Sequence, residues 1–458
     1  MTTRSRTLVA FVAAASLALA ACGGGDETST DTTSGGDTAT TTADTSSGDT
    51  TATTEAPASG WTVDTSLCVD EAAATAPIEG TIKIGSAMPL TGGAAAAAFA
   101  PVKDGFEAYI AYANEKGLLP GVTIEVAIED DQYNAELTPG AVDKLIADGA
   151  NIFGGIIGTA NNLAVRDTLN DNCIPQLAAL TGAPTWGDVE NYPWTTGQLS
   201  PYDVETRVYA KQIAELYPDG ASVALFHVNN EFGQFYVDTF REVAADFNFT
   251  EVEDQTIEAT DQAPPTAQIT NIAAAKPDVI LAVPLGAQCI TFLTEVANQK
   301  AANPGWEPAV FVTNTCASSL ILALAGPAAD GLYTSNNLVD VVDPANASLA
   351  PVAEYLAFME GLGKADIAAT ASAGWTTAEV VVAILVQAAA SPEGLTRASI
   401  INAARNFEHT PMLGVSGVAY KMNGAEDPYL AESLVVRQYD AASATFVDVS
   451  ELITEFES

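Results

Sequence analysis

From about Thr81 onward, short apolar runs alternate with stretches whose apolar residues recur at helical spacing. The helical stretches are APVKDGFEAYIAYANEKG, ELTPGAVDKLIADG and NNLAVRDTLNDN, with Pro139 in a first helical turn. The runs that predict buried strands are TIKIGSAMPL, GVTIEVAIEDD, ANIFGGIIG and CIPQLAAL. Strict alternation of strand and helix predicts a parallel sheet that helices cover on both faces.

The alternation restarts after a break at residues 199–204, which predicts an α/β fold with two units in tandem. Two further helices, YDVETRVYAKQIAELY and EFGQFYVDTFREVAADF, flank the strand GASVALFHVNN. The later strands are PDVILAVPLG, PAVFVTNT, DGLYTSNNL, LAESLVVRQYD and TFVDVS. Ligands of open α/β sheets bind beyond the carboxyl ends of the strands, so we expect a small-molecule site in a cleft between the units.

One helical stretch, TASAGWTTAEVVVAILVQAAA, is long and apolar enough to raise the alternative of a membrane-spanning helix. Glu379 and Gln387 interrupt its apolar character. The pattern therefore favours a buried core helix.

The composition narrows the possible partners. The 458 residues suffice for two domains with sizeable cores. They include 17 basic and 58 acidic residues, for a net charge of −41. Such a surface repels nucleic acid and anionic lipid, so we expect no nucleic-acid partner.

The N-terminus has the pattern of an export signal. Arg4 and Arg6 precede an apolar stretch that ends in Leu19-Ala20-Ala21-Cys22, the pattern of a bacterial lipobox. We predict a signal peptide over residues 1–21, a lipidated Cys22 and a disordered tether to residue 60, rich in Gly, Ser, Thr and Asp. The lipid would anchor the protein to the outer face of the cell membrane. An ordinary secretory cleavage site that happens to carry a cysteine is the alternative.

Enzyme chemistry finds little support in the sequence. His227 and His409 are the only histidines, and no HExxH, GxSxG or P-loop motif is present. The glycines of FGGIIGTANN lack dinucleotide-binding spacing. Asp130 and Asp131, which end a predicted strand, suggest local hydrogen bonding more than a metal site. We therefore expect no catalytic residues, no cofactor and no metal.

Six segments then follow one another in a characteristic order: IKIGSAMPLTGGAAAA, DGFEAYIAYANEKG, IEVAIEDDQYN, FGGIIGT, IPQLAALT and NNEFGQ. In this order the chain, from roughly Ile82 to its C-terminus, resembles the type I substrate-binding proteins of ABC importers, in the leucine/isoleucine/valine-binding family. The resemblance implies two Rossmann-like lobes joined by three crossing strands, near Gln198–Pro201, Tyr333–Asn337 and Gly424–Glu432. Lobe one would comprise residues 78–198 and 337–424, and lobe two residues 200–336 and 425–458.

The resemblance also implies a function. Such a protein binds a small ligand between its lobes, closes by hinge motion and docks on a membrane permease, and we expect it to be a monomer. A receptor of the same fold that senses without transport is the second hypothesis, and an enzyme on this scaffold the third.

Four cysteines follow Cys22, and an even number in an exported protein suggests two disulfides, with free buried thiols as the alternative. Three pairings are possible. The fold implied by the resemblance favours Cys68–Cys173 and Cys289–Cys316.

By the same resemblance, lobe one would hold a ligand's carboxylate with Thr159, Ala160, Ala179 and Thr181. Hydroxyls and N–H groups at a helix N-terminus suit an anionic oxygen. Helix capping is the alternative role for Thr159 and Thr181.

Lobe two departs from the family pattern at three expected contact positions. Phe232 stands where branched-chain amino acid binders have tyrosine, and Gln288 stands where they have an aromatic residue. Near Asn314 those proteins have an acidic residue that binds the ligand's ammonium group, but neither Asn314 nor its neighbour Thr315 is acidic. A buried ammonium without an acidic partner is costly, which argues against a plain α-amino acid. A neutral amide, a carboxylate without an amine, or a ligand that uses another acid such as Glu231 stay open. We expect Trp186 and Trp375 to be core residues.

Overall fold

The structure, a computed structural model, describes residues 60–457 and contains two central sheets, each inside one α/β lobe. The strands of the first sheet are β1 (Thr81–Met88), β2 (Thr123–Asp130), β3 (Ile152–Gly154), β4 (Gln176–Ala179) and β5 (Thr195–Gly197). They pair in the order β2-β1-β3-β4-β5, and every pairing is parallel. The parallel sheet predicted from the strand–helix alternation is therefore confirmed.

The second sheet has seven strands: β6 (Ser222–Val228), β7 (Thr250–Ile257), β8 (Val279–Val283), β9 (Ala309–Val312), β10 (Tyr333–Asn336), β13 (Val435–Asp440) and β14 (Thr445–Asp448). Their order is β14-β13-β10-β9-β8-β6-β7. The two C-terminal strands pair antiparallel, whereas the other pairings are parallel. Strands β11 (Asn406–His409) and β12 (Tyr420–Asn423) form a separate antiparallel pair.

Helices cover both sheets. In the described part of the chain they are α1 (Glu71–Thr75), α2 (Gly93–Lys116), α3 (Thr138–Ala147), α4 (Thr159–Asp171), α5 (Tyr202–Leu216), α6 (Glu231–Val243), α7 (Thr266–Ala275), α8 (Ala287–Ala302), α9 (Ser319–Ala325), α10 (Ala350–Gly361), α11 (Ala368–Ala389) and α12 (Arg397–Arg405). Pro139 lies in the first turn of α3, as predicted. Its missing N–H costs nothing there, because the first N–H groups of a helix have no intrahelical acceptor.

Helix α11 is the long apolar helix of the sequence. By length and composition it is the one helix among the described residues that could cross a membrane, but most of its apolar window is buried inside the protein. Trp375, in the N-terminal half of α11, is fully buried and makes edge contacts with Tyr109 and Tyr355, each with ring centroids 5.0 Å apart. The predicted core helix and the predicted core position of Trp375 are both confirmed, and Trp186 is likewise buried.

The chain leaves the first sheet for the second after β5, leaves the second sheet after β10 for α10–α12 and the β11–β12 pair, and returns to the second sheet at β13. These passages coincide with the three crossings predicted from the family resemblance. The residue bounds assigned to each lobe stay a prediction. The predicted signal peptide, Cys22 and the predicted tether lie outside the described residues, apart from Gly60.

Two disulfides link distant parts of the chain. Cys68 is bonded to Cys173 with Cα atoms 5.5 Å apart, and Cys289 to Cys316 with Cα atoms 5.9 Å apart. These are the two pairings that the resemblance favoured. The first attaches the N-terminal segment to the end of α4, and the second joins α8 to the turn after β9. Closing loops of this length stabilises a fold by about 3–5 kcal/mol in the chain-entropy view.

Candidate functional site

A cavity of about 190 Å³ lies between the two lobes. Its walls come from α2, α11 and the loop after β3 on one side, and from α6, α9 and the turn after β9 on the other. Residues 198–200 of the first crossing and residues 336–341, at the end of the second crossing and just after it, also contribute to the wall. The cavity therefore occupies the place that the sequence predicted for a ligand site, between the lobes.

Most of the wall is hydrocarbon. The apolar side chains include Phe99 and Val102 of α2, Phe232 of α6, and Leu285 and Ile321 of the second lobe. Small residues of α11 line the opposite side at helical spacing: Ala369, Thr370, Ala373, Thr376 and Thr377. Their short side chains leave the space that the cavity occupies. Burial of an apolar ligand body here is favourable by about 25 cal/mol per Å² of surface removed from water.

Aromatic rings border the cavity in two groups. Phe99 and Tyr133 lie nearly parallel with centroids 6.0 Å apart. Phe232 packs edge-on against Tyr202, with centroids 5.3 Å apart, and both rings are buried. Such contacts fix ring orientation and so give the apolar wall a definite shape.

The segment FGGIIGTANN forms one edge of the cavity. The strand predicted to run through Ile157 ends earlier, at Gly154, because Gly155 adopts a positive φ of 68° and turns the chain; Ile157 retains a single bridge to Leu180. Asn162 then donates from Nδ2 to the carbonyl oxygens of Ile156 and Gly158, both at 2.8 Å. The Asn162 side chain thus hydrogen-bonds the backbone of the loop itself. Ile157 and Gly158 line the cavity.

Thr159 and Thr181 lie immediately behind this edge and are buried. Their hydroxyl oxygens are 2.6 Å apart, and the Tyr202 hydroxyl donates to Thr181 Oγ1 at 3.1 Å. Neither threonine caps α4 through its side chain, since Gly158 occupies the N-cap position. The three hydroxyls therefore form one buried cluster that holds the Tyr202 ring on the cavity wall, and direct contact of the threonines with a ligand stays a prediction.

The other predicted contacts divide into two groups. Phe232 and Asn314 line the cavity, whereas Ala160, Ala179 and Gln288 do not. Gln288 accepts from the backbone N–H of Leu285 at 3.1 Å and donates to two carbonyl oxygens of the loop after β7. Its amide is thus hydrogen-bonded within the second lobe, and this geometry does not favour a contact between Gln288 and a ligand.

The adjacent carboxylates Asp130 and Asp131 hydrogen-bond locally. Asp130 Oδ1 accepts from the N–H groups of Leu90 and Gln132, at 2.9 and 3.1 Å. Asp131 accepts from the Thr138 hydroxyl and from Asn161 Nδ2, and its burial raises its pKa above the usual range. Among residues 60–457, no group of three or more His, Cys, Asp or Glu side chains is arranged to hold a metal ion.

A buried carboxylate that the sequence analysis missed supports the second-lobe wall. Glu205, in the first turn of α5, accepts from the hydroxyls of Tyr209 and Ser335 at 2.6 and 2.8 Å, and from the Asn314 N–H at 2.8 Å. The Tyr236 hydroxyl is a fourth donor. Burial raises the pKa of Glu205, and the four hydrogen bonds oppose that shift.

Asp340 is the only acidic residue of the cavity wall among the described residues, and Arg437 is the only basic one. Burial raises the pKa of Asp340. Glu231, the acid kept open by the sequence, is exposed and does not line the cavity. The sequence could have indicated Asp340 as a wall residue, because it is an acidic residue only three positions after the second predicted crossing.

These features can be compared with known proteins. The profile of the family described as periplasmic binding protein matches residues 81–435. The Leu/Ile/Val-binding protein homolog 2 of Brucella abortus (strain 2308) is 29% identical over 158 residues, which are 34% of this chain and 42% of that protein. The chain therefore matches less than half the length of that curated relative.

Solved structures with the same fold extend over more of the chain. A branched chain amino acid ABC transporter from Thermus thermophilus with bound valine has a TM-score of 0.73 at 19% identity, covering 82% of this chain and 97% of its own. A solute-binding protein of an ABC transporter from R. palustris, in complex with benzoate, has a TM-score of 0.68 at 19% identity. The match covers 82% of this chain and 99% of that protein's chain. This chain belongs to the periplasmic binding protein family and has the type I fold of that family.

Proposed function

We propose that the protein is an extracytoplasmic receptor that binds one small ligand between its lobes and delivers it to an ABC importer. The observation that carries the proposal is the inter-lobe cavity of about 190 Å³, bordered by both lobes and by two crossings. A ligand held there contacts both lobes at once, so binding stabilises the closed arrangement over an open one. The family's association with ABC transporters supports the delivery step.

The wall suggests the size and kind of ligand. Its volume is below the range of about 300–1,000 Å³ typical of sites for drug-sized ligands, which favours a small molecule. Its hydrocarbon surface favours a ligand with an apolar body. Valine and benzoate, bound in the two related structures, are both of that kind. We propose a small amino acid derivative, amide or carboxylate of similar size.

Anchoring is proposed from the N-terminal sequence alone. A lipid on Cys22 would hold the receptor at the outer face of the membrane, and the segment to residue 60 would give it reach toward the permease. Radiolabelled palmitate is expected to enter the exported wild type. A Cys22→Ser variant that still incorporates the label would contradict this assignment.

A thermal-shift screen tests the receptor function. The panel comprises amino acids, amides, small carboxylates and aromatic acids. A true ligand at 100 times its Kd stabilises the folded state by about 2.7 kcal/mol. We expect stabilisation by a narrow set of compounds, each recovered chemically unchanged; conversion into a product would favour an enzyme instead.

The hydroxyl cluster yields a more specific expectation for the best ligand. Thr159→Ala and Thr181→Ala should each weaken binding, by about three- to ten-fold if one hydrogen bond is lost. Tyr202→Phe distinguishes the two ways in which this could arise. If the threonines act by positioning Tyr202, Tyr202→Phe should weaken binding to a similar extent. If the threonines contact the ligand directly, Tyr202→Phe should bind the ligand like the wild type. Unchanged binding in both threonine variants would remove them from the site.

A further inference from the structure

The wall residues of the cavity carry an unusual concentration of unpaired polar atoms. Among the described residues, buried side-chain atoms without a hydrogen-bond partner include five on wall residues: Gln198 Oε1, Ser318 Oγ, Ser319 Oγ, Asp340 Oδ2 and Thr376 Oγ1. An unpaired buried polar atom costs about 1–3 kcal/mol, so native structures contain few of them. Their grouping around one cavity indicates a common role.

The five atoms are oxygens, and two of them, Gln198 Oε1 and the ionised Asp340 Oδ2, can only accept hydrogen bonds. The buried unpaired side-chain nitrogens of the described chain belong to Arg166, Trp186 and Trp375, which do not line the cavity. Gln198 Oε1 and Asp340 Oδ2 therefore need a donor, whereas the hydroxyls of Ser318, Ser319 and Thr376 can donate or accept. A carboxylate, which only accepts when ionised, can pair with the hydroxyls but not with Gln198 Oε1 or Asp340 Oδ2.

The backbone fixes the position of the Asp340 carboxylate. Its Oδ1 accepts from the Val342 N–H at 3.2 Å, and Asn346 Nδ2 donates to its carbonyl oxygen at 2.9 Å. Just before it, the Val339 N–H donates to the carbonyl oxygen of Leu413 at 2.9 Å. These contacts leave Oδ2 as the free end of a carboxylate held on the segment that enters the first lobe.

Arg437, the basic residue of the cavity wall, attracts the Asp340 charge but directs its hydrogen bonds to other groups. Arg437 bonds through Nε to Asp448 at 2.7 Å and through Nη1 to the Leu338 carbonyl oxygen at 2.8 Å. The Ser319 hydroxyl lies close enough to favour the charged form of Asp340, without a hydrogen bond of normal geometry between them. The charge of Asp340 is thus available to a partner from outside the chain.

We propose that the ligand is a nitrogen donor, an amine or a primary amide on an apolar body, whose N–H groups bond Asp340 with Ser319 and Gln198 as further acceptors. The apolar body lies along the small residues of α11. This inference rests on the proposed receptor function and narrows its ligand class. Because Asp340 follows a crossing between the lobes, the same bond ties the ligand to the segment that moves with closure.

Matched probes test the proposal, with binding followed by thermal shift and calorimetry. Benzylamine and benzamide are compared with benzoate, and 3-methylbutylamine with 3-methylbutanoate, so that each comparison changes the polar group and keeps the body. We expect at least one nitrogen donor to bind the wild type about ten-fold tighter than its carboxylate counterpart, the difference that one charged hydrogen bond supplies. Tighter binding of the carboxylates would overturn the proposal and leave the receptor function standing. Binding of no probe would count against both.

The Asp340→Asn variant identifies the residue. It keeps Oδ1 and its bond to the Val342 N–H but removes the charge, so we expect amine binding to weaken about ten-fold or more and amide binding to weaken less. Asp366→Asn makes the same change at an exposed position that does not line the cavity, and it should bind the amine like the wild type. Ser319→Ala, a smaller change, should weaken binding to a lesser degree. Equal amine affinity in Asp340→Asn and Asp366→Asn would overturn the assignment.

Discussion

The Gly374→Ala substitution is expected to destabilise the protein by about 3 kcal/mol or more, at or above the upper range for overpacking a core. Helices α2 and α11 touch backbone to backbone at this point. A Cβ at Gly374 would lie 1.8 Å from the Val102 carbonyl oxygen and 2.9 Å from the Phe106 nitrogen. At the reciprocal contact, a Cβ on Gly105 would lie 1.8 Å from the Ala371 carbonyl oxygen. Backbone atoms cannot rotate away, so the helices must separate.

A matched control is available in α10. Gly361 ends that helix with ordinary φ and no atom within 4 Å of an added Cβ. Gly361→Ala should therefore be neutral or stabilising by up to about 1 kcal/mol, through lower entropy of the unfolded chain. Urea unfolding followed by circular dichroism measures both variants. Equal stability of the two would show that α2 and α11 are not in backbone contact.

The second large effect is expected for Glu205→Ala. The change removes the shared acceptor of three hydroxyls and of the Asn314 N–H in a buried place. The Tyr209 hydroxyl keeps the Val312 carbonyl oxygen and the Ser335 hydroxyl as partners, so the Tyr236 hydroxyl and the Asn314 N–H are the donors left orphaned. Each orphaned donor costs about 1–3 kcal/mol, partly relieved by rearrangement, so we expect a loss of about 3 kcal/mol or more. Glu215→Ala, at an exposed position of the same helix, should change stability by less than about 0.5 kcal/mol. Comparable urea midpoints for the two variants would contradict the buried cluster.

Glu205 also predicts a pH dependence. Burial raises its pKa above the ordinary value of 4.5. At a pH between the ordinary pKa of the unfolded chain and the raised pKa of the folded state, the folded Glu205 retains a proton that the unfolded chain has lost. The free energy of unfolding therefore falls as the pH rises through this window. Glu205→Gln cannot titrate. The stability of the wild type relative to Glu205→Gln should therefore decrease as the pH rises from 4.5 toward neutrality, and a difference independent of pH would contradict the raised pKa.

Much of the fold could be predicted from the sequence because its signals are local. The period of apolar residues gives strands and helices, and their alternation gives parallel sheets. The burial of α11 followed in the same way from Glu379 and Gln387 within an otherwise apolar run. The prediction was wrong at the end of β3, where the strand was expected to continue through Ile157. The positive φ of Gly155 ends it earlier, and the apolar residues Ile156 and Ile157 gave no sign of this in the sequence.

The site was less predictable because it depends on contacts between distant segments. Phe232 and Asn314 line the cavity, and their contact with a ligand stays a prediction, whereas the Gln288 amide bonds backbone groups of a loop about 30 residues away. Asp340 and the α11 threonines were missed. Which face of α11 borders the cavity depends on the backbone contact at Gly374, and the position of Asp340 depends on hydrogen bonds to Val342 and Asn346.

We propose that one small ligand binds in the cavity between the lobes. Calorimetric titration of the best thermal-shift compound into the wild type and into Ala373→Trp tests it most directly. Ala373 lies at the centre of the α11 face that borders the cavity, so a tryptophan there would occupy the ligand's space. We predict binding of one ligand per chain by the wild type and no measurable heat from a folded Ala373→Trp protein. Equal affinity in the two proteins would contradict a ligand site in this cavity.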